Sequence, residues 1–147
     1  MALRSIDYYD SKYIVSCLQN MRSEIPVCAE SEDDPAYVME NLRHMITDES
    51  FIGYISRGQG FLFGAIAPNW YDKRLKAYEQ LLYVEPDFRK SSFGSRLITE
   101  FCKGAKERGA CEVIAGTSLG YRTDAVVRLY ERKGFVQIGT SVKLKLE

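Results

Sequence analysis

An α/β sandwich around a mixed, mostly antiparallel central sheet, with helices on both faces, is the fold this sequence predicts. Three observations predict it. Apolar residues recur at helical spacing in four separate stretches. Between the second and third of these lie three consecutive β-rich runs, 51–56, 61–67 and about 77–84, whose connections read as an antiparallel meander. The elements then follow in the order strand, two helices, three strands, helix, strand, helix, strand. That mixed order belongs to a layered α/β arrangement.

The chain opens with a short strand over Leu3 to Tyr8, followed by a helix over Ser11 to Arg22 that carries Ile14, Val15, Leu18 and Met21 on one face, with Asp10 as its cap. A second helix begins at Asp34-Pro35, a capping residue followed by proline at the first helical position, and turns Val38, Met39, Leu42, Met45 and Ile46 inward. His44 lies off that face. Strands follow over Phe51 to Ser56, Phe61 to Ala67 and Ala77 to Val84, with a turn at Arg57 to Gly60 and a longer connection from Pro68 to Asp72. The third helix, Phe93 to Arg108, places Leu97, Ile98, Phe101, Cys102 and Ala105 on one face and stops at Gly109. Cys111 to Gly116 reads as a short apolar strand and Ser118 to Gly120 as a turn. Asp124 to Lys133 repeats the helical pattern with Val126, Leu129 and Tyr130, and Gly134 ends it. Phe135 to Leu146 alternates as a final strand or hairpin.

With 147 residues and no Pro/Gly/Ser-rich linker or internal repeat, the chain reads as one domain over 1–147. Twenty basic residues balance 20 acidic ones, so nothing draws the whole molecule to nucleic acid or anionic lipid, and any electrostatic function is local. No apolar run reaches membrane-spanning length and the N-terminus lacks a signal-peptide core, which reads as cytoplasmic. Cys17, Cys28, Cys102 and Cys111 show no C-x-x-C spacing, and His44 is the single histidine, so no metal site is expected.

The segment from Val84 to Leu97 carries the chemistry. It joins a strand to an amphipathic helix through a loop of basic and small residues. A helix N-terminus presents unpaired N–H groups and the positive end of the macrodipole, so a phosphate placed there meets donors and favourable charge together. From Arg89 to Arg108 six basic residues stand against two acidic ones. Lys103, Lys106 and Arg108 read as a solvated helix face, whereas Arg89 and Lys90 sit in the loop itself and are assigned to phosphate contact.

V-x-P-x-x-R-x-x-S-x-G-x-x-L from Val84 to Leu97 and L-Y-E-R-K-G-F from Leu129 to Phe135, within this order of elements, resemble the GNAT superfamily of acyl-CoA-dependent N-acetyltransferases. The resemblance implies acetyl-CoA as cosubstrate, with no metal. Its pyrophosphate would lie in the loop Arg89, Lys90, Ser91, Ser92, Phe93, Gly94 and Ser95, matching a Q/R-x-x-G-x-G/A pattern. Its pantetheine arm would pair with the strand backbone at Leu82, Tyr83 and Val84, where neighbouring strands splay apart. Ser92 stands where the pattern has its first glycine. A left-handed backbone there would cost roughly 1–2 kcal/mol, in part offset by a hydroxyl donating to phosphate, so weaker or re-angled binding is the expectation.

By spacing alone Tyr130 is a core aromatic. The resemblance makes it the residue that donates a proton to the departing thiolate. Glu79, on the strand leading into the loop, reads either as an outward strand residue or as the base that takes the proton of an attacking amine, directly or through water. Glu24, Glu30, Glu32, Asp33 and Asp34 form an acidic run that either attracts a cationic acceptor or is simply solvated. Trp70 and Tyr71 either wall the same cleft or pack their loop. The expected function is transfer of an acetyl group to a primary amine of a small molecule or protein, by direct attack in a ternary complex. The alternative is a non-catalytic module that binds acyl-CoA or another phosphorylated ligand. Nucleic acid and membrane are not expected partners, and the final strands suit pairing in a homodimer.

Overall fold

The computed structural model describes residues 2–116 and 123–146. Five strands form one sheet in the order β1-β2-β3-β4-β5: Arg4–Ser5, Phe51–Ser56, Gly60–Ala67, Lys76–Val84 and Val113–Ile114. Each of the first four is antiparallel to its neighbour, and β5 joins β4 in parallel. The helices are α1 (Ser11–Glu24), a single turn α2 (Pro26–Ala29), α3 (Pro35–Thr47), α4 (Phe93–Glu107) and α5 (Thr123–Arg132). The α/β class and the meander stand as read from the sequence. The turn expected at Ser118 to Gly120 lies outside the described residues.

The strands of the meander alternate between two cores because both faces are covered. Phe61 and Phe63 of β3 join Ile55 and Tyr83 under α1 and α3, which contribute Ile14, Val15, Cys17, Met21 and Leu42. Leu62 and Ile66 turn the other way and join Ile52 and Ala77 under α4, whose Phe93, Leu97, Ile98, Phe101 and Ala105 are all nearly inaccessible. Each large apolar side chain buried this way contributes roughly 1.5–3 kcal/mol. The two-sided burial of β3 explains its unbroken apolar sequence.

Local signals behave as physical chemistry requires at α3. The Asp34 side chain accepts from the Tyr37 N–H at 3.1 Å and Pro35 opens the helix. Asp10 does something different from the cap expected for α1, where it makes no side-chain capping bond. Asp7 and Asp10 instead form a reciprocal capping box on the 3-10 turn Tyr8–Asp10. Asp10, fully buried, also accepts from Arg4 at 2.6 and 2.8 Å and from Arg57 Nε at 2.7 Å. One carboxylate thereby ties β1, the start of α1 and the β2–β3 turn together.

Two expectations fail at the end of the chain. The strand at Cys111 to Gly116 is reduced to Val113–Ile114, because β4 pairs with β5 only at Ala77 and Tyr78. Phe135 to Leu146 forms no strand, and Val136, Ile138, Val142, Leu144 and Leu146 are exposed. A two-residue β5 offers almost no ladder, and an alternating segment with no neighbour cannot hold strand geometry.

Asp10→Asn is expected to lower stability by about 3 kcal/mol, since it breaks a buried charged network, as checked by urea denaturation at pH 7. The guanidinium groups of Arg4 and Arg57, with the Asp7 N–H, hold the Asp10 carboxyl down from 3.8 to about 2 against the opposing effect of burial. Its contribution is therefore complete above pH 3.8 and disappears as pH falls through about 2, so the variant should show a flatter stability profile in that acid window.

Candidate active site

A one-residue irregularity in β4 shapes the site. Phe63 pairs with Leu81 and Gly64 with Glu79, leaving Gln80 without a partner on β3. The Ala77 N–H points to the β5 side, where it bonds the Glu112 carbonyl at 3.0 Å, whereas the Glu85 N–H points to the β3 side, bonding Gln59 O at 2.8 Å. Residues of the same parity would face one edge in a regular strand, so the bulge at Gln80 reverses them. Leu82 and Val84 thus turn their backbone N–H and C=O groups toward the edge that β5 has left. A side chain at Gly64 would run into the Tyr78 carbonyl, so glycine is required opposite the bulge.

Where β4 and β5 part there is a cleft of about 440 Å³ that passes through the sheet. On the α4 and α5 side it is lined by Glu79, Leu82, Val84, Gly94, Ser95, Gly116, Val126, Leu129 and Tyr130, and on the α1 side by Met21, Glu24, Ile25, Leu81 and Tyr83. Arg89, Lys90, Ser91 and Arg132 complete its rim.

The loop into α4 is braced from within. The Ser91 hydroxyl donates to the Phe88 carbonyl at 2.6 Å and accepts from the Phe93 N–H at 3.2 Å. The intrahelical ladder starts at Arg96, whose N–H reaches Ser92 O at 3.0 Å. The Gly94 and Ser95 amides precede that start, and both residues line the cleft, as an anion site at a helix N-terminus requires. A Cβ on Gly94 would sit 3.3 Å from Leu129 Cδ2, so glycine keeps the passage between α4 and α5 open.

Of the residues assigned to the coenzyme from sequence, Leu82, Tyr83, Val84, Arg89, Lys90, Ser91, Gly94 and Ser95 line the cleft. Phe93 does not. It is buried in the core, edge-on to Phe88. Ser92 is not among the lining residues either, and its φ of −79° removes the left-handed strain expected of a serine in place of glycine. Arg89, expected as a phosphate ligand, is also engaged within the protein. Its guanidinium makes a bidentate pair with Glu24 of α1 at 2.7 and 2.9 Å, and its Nε donates to the Val84 carbonyl at 2.8 Å. Trp70 and Tyr71 lie outside the cleft, stacked edge to face on each other with Trp70 95% exposed.

Glu79 and Tyr130 are brought to the same face of the sheet. Burial pushes the Glu79 carboxyl up to about 7, partly opposed by the Gly116 N–H that donates to it at 3.3 Å. Tyr130 is buried, packs edge to face on Phe135 at 5.0 Å, and its hydroxyl has no hydrogen-bond partner among the described residues. Burial, and then the nearby Glu79, raise its pKa, which keeps the phenol protonated as a donor. A buried unpaired hydroxyl costs about 1–3 kcal/mol, and in a cleft it marks a place for a ligand atom. Among the described residues no cluster of His, Cys, Asp and Glu could hold a metal ion, and no helix is long and apolar enough to cross a membrane.

Sequence reading missed Met21, Ile25, Gln80, Gly116 and Arg132. Arg132 lies inside the L-Y-E-R-K-G-F motif and was within reach of it. Gln80 carries no local signal, because a bulge depends on the register of the neighbouring strand.

This fold and this cleft are those of an acyl-group transferase. A family model for the GNAT acetyltransferase domain matches residues 35–137, and the chain belongs to that family. Among curated proteins none matches by sequence. Solved structures share the fold at low identity. An acetyltransferase of Trypanosoma brucei is 18% identical with a TM-score of 0.73, over 99% of both chains. The aminoglycoside acetyltransferase meta-AAC0020 from an uncultured soil metagenomic sample, in complex with sisomicin, is 16% identical with a TM-score of 0.74, over 99% of this chain and 96% of that one. AAC(6')-Iy in complex with the bisubstrate analogue CoA-S-monomethyl-acetylneamine is 14% identical with a TM-score of 0.74, over 99% and 97%.

Carboxyl-carbon NMR on the glutamate-labelled protein is expected to show Glu79 titrating near pH 7, with the signal absent in Glu79→Gln. Because the folded value lies above the unfolded one, Glu79 favours the fold at low pH and opposes it as pH rises through about 7. Glu79→Gln should therefore gain stability relative to the parent between pH 5 and 8.

Proposed function

We propose that the chain transfers the acetyl group of acetyl-CoA to a primary amine by direct attack in a ternary complex. The observation that carries this reading is the presence, in one cleft, of a carboxyl raised by burial to about 7 and a buried phenol with no hydrogen-bond partner among the described residues, together with the first N–H groups of α4.

Acetyl-CoA fits the residues present. The Gly94 and Ser95 amides and Lys90 would hold its phosphates, the open edge of β4 at Leu82 and Val84 would pair with its amide-containing arm, and the absent side chain at Gly94 leaves room for it. The bound thioester supplies an activated acyl group with a thiolate leaving group.

The chain's own part follows from its chemistry. An alkylammonium holds its proton near pH 10 and cannot attack until it gives it up. Glu79 at about 7 is charged often enough at neutral pH to receive that proton, directly or through water. The Val84 N–H, on the open edge, is placed to polarise a carbonyl. Tyr130 remains protonated and offers a hydrogen bond to the developing thiolate, a charge-assisted bond stronger than a neutral one. Two protons leave the nitrogen in all: the first passes by way of Glu79 to solvent, and the second, lost once the N–C bond has formed and the C–S bond breaks, ends on the thiol. We place this activity in the cytoplasm, and as a partner we propose a second copy of the chain joined through residues 135–146.

Isothermal titration is expected to show acetyl-CoA binding at micromolar concentrations; none at high micromolar concentration would end the reading. Tyr130→Phe should lower kcat by roughly 10- to 100-fold with coenzyme affinity unchanged, the loss of one strong hydrogen bond in the transition state. The rising limb of kcat/KM should have its midpoint near pH 7 and vanish in Glu79→Gln. Coenzyme binding without thiol release from any amine would leave a binding module. Sedimentation equilibrium should give a dimer that Ile138→Lys with Leu144→Lys dissociates; a monomeric parent protein removes the second copy from the proposal.

A further inference from the structure

Acetyl transfer in this cleft leaves the acceptor's chemistry open, and assigning that chemistry rests on the proposed function. On the α1 side the walls are Met21, Ile25, Leu81 and Tyr83, three aliphatic or thioether side chains and an aromatic ring. One carboxylate, Glu24, faces the cleft there among the described residues, and both its oxygens are engaged by Arg89 at 2.7 and 2.9 Å. Both side chains of this pair are about three-quarters shielded, at 25% and 22% exposure. A fork-to-fork pair of this kind is the strongest geometry the two groups have. An incoming cation would have to displace a guanidinium or approach a carboxylate already neutralised, with little Coulomb gain in either case.

Apart from Glu24, the acidic run that suggested a cationic acceptor does not line the cleft. Glu30 pairs with Lys145 at 3.0 Å, Asp33 lies 3.9 Å from Arg22, and neither lines the cleft. Among the described lining residues the cations Arg89, Lys90 and Arg132 outnumber the carboxylates Glu24 and Glu79. One ammonium can enter and meet Glu79. A second would lose hydration with no unengaged counter-charge among the described lining residues.

We infer that the acceptor is a small amine with a single positive charge on an apolar body, seated against Met21, Ile25, Leu81 and Tyr83, and that the Glu24–Arg89 pair disfavours polycationic amines. The Tyr83 hydroxyl, buried and without a hydrogen-bond partner among the described residues, provides a place for one polar group on that body.

The test is titration of phenethylamine and of spermine into the protein, alone and saturated with CoA, with thiol release from acetyl-CoA measured in parallel. Phenethylamine is expected to bind at least tenfold more tightly than spermine. Equal or tighter binding of spermine, or no binding of phenethylamine, overturns the inference. Arg89→Gln removes the guanidinium that forms this pair with Glu24 and should shift the ratio of the two affinities toward spermine by about tenfold; an unshifted ratio in the folded variant overturns the role given to the pair. Should that variant not fold, the ratio in the parent protein decides. Acetyl transfer is judged separately. If phenethylamine binds as expected and no amine releases thiol, the enzymatic reading fails and the acceptor class stands; thiol release with spermine but not phenethylamine does the reverse.

Discussion

Gln80 has no partner on β3, and that one extra residue reverses the direction in which the following backbone groups of β4 point. Before it, the strand spends its outer hydrogen bonds on β5, as the Ala77 N–H does with Glu112 O. Beyond it, the residues that bond β3 have changed parity, and β5 has no register to follow. The parallel pairing therefore stops after two residues, the sheet opens, and the main-chain groups of Leu82 and the Val84 N–H face the opening, while the Val84 carbonyl accepts from Arg89. Glu79 is the last residue before the break and faces α5, while Leu82 is the first beyond it to do so. One insertion thus makes the gap, gives it hydrogen-bonding edges and puts a carboxyl at its end. It depends on the absence of a side chain at Gly64, where the strands come closest.

The loop leading into α4 takes its position from the opposite layer. Tyr13 of α1 donates to Glu85 at 2.8 Å at the loop's start, and Glu24 of the same helix holds Arg89 near its middle. Arg89 in turn ties back to the Val84 carbonyl. The cation that composition singles out as an anion ligand thus also ties the two layers together. Beside it at the cleft stand the fixed N–H dipoles of α4 and Lys90. Fixed amides lose no side-chain entropy when they bind, whereas a free arginine would lose up to about 2 kcal/mol of rotamer freedom.

How much of this the sequence disclosed depends on the range of each interaction. Asp34-Pro35 and the apolar face of α3 are local signals and read correctly, as do the meander and Gly109 and Gly134 with their positive φ of 91° and 95°. The cleft strand and the loop were legible because strand, loop and helix are contiguous in the chain. Asp10 was misassigned because its partners Arg4 and Arg57 come from two other elements. The pairing of Arg89 was not legible for the same reason, since Glu24 is 65 positions away. Ser92 looked strained only through comparison with a glycine pattern, and its backbone is ordinary. The alternation at 135–146 is a statement about side chains, and a strand also needs a neighbour with free main-chain groups, which two residues of β5 do not supply.

The two buried side-chain hydroxyls without partners among the described residues are Tyr83 and Tyr130. Unpaired buried polar groups are rare because each costs a desolvation penalty that no bond returns. Their positions are not independent. Tyr83 packs in the core beneath α1 and Tyr130 in the core beneath α4 and α5, on opposite faces of the sheet, yet both line the gap that joins those faces. Glu79, whose burial opposes its charged form, is on the same gap. Three separate sources of instability thus converge on one cleft, while polar groups elsewhere, such as Asp10, are fully paired. Among the described residues, then, buried polar groups are paired at a distance from the cleft and left without partners around it, which makes the gap joining the two layers the place where a polar ligand gains most from binding.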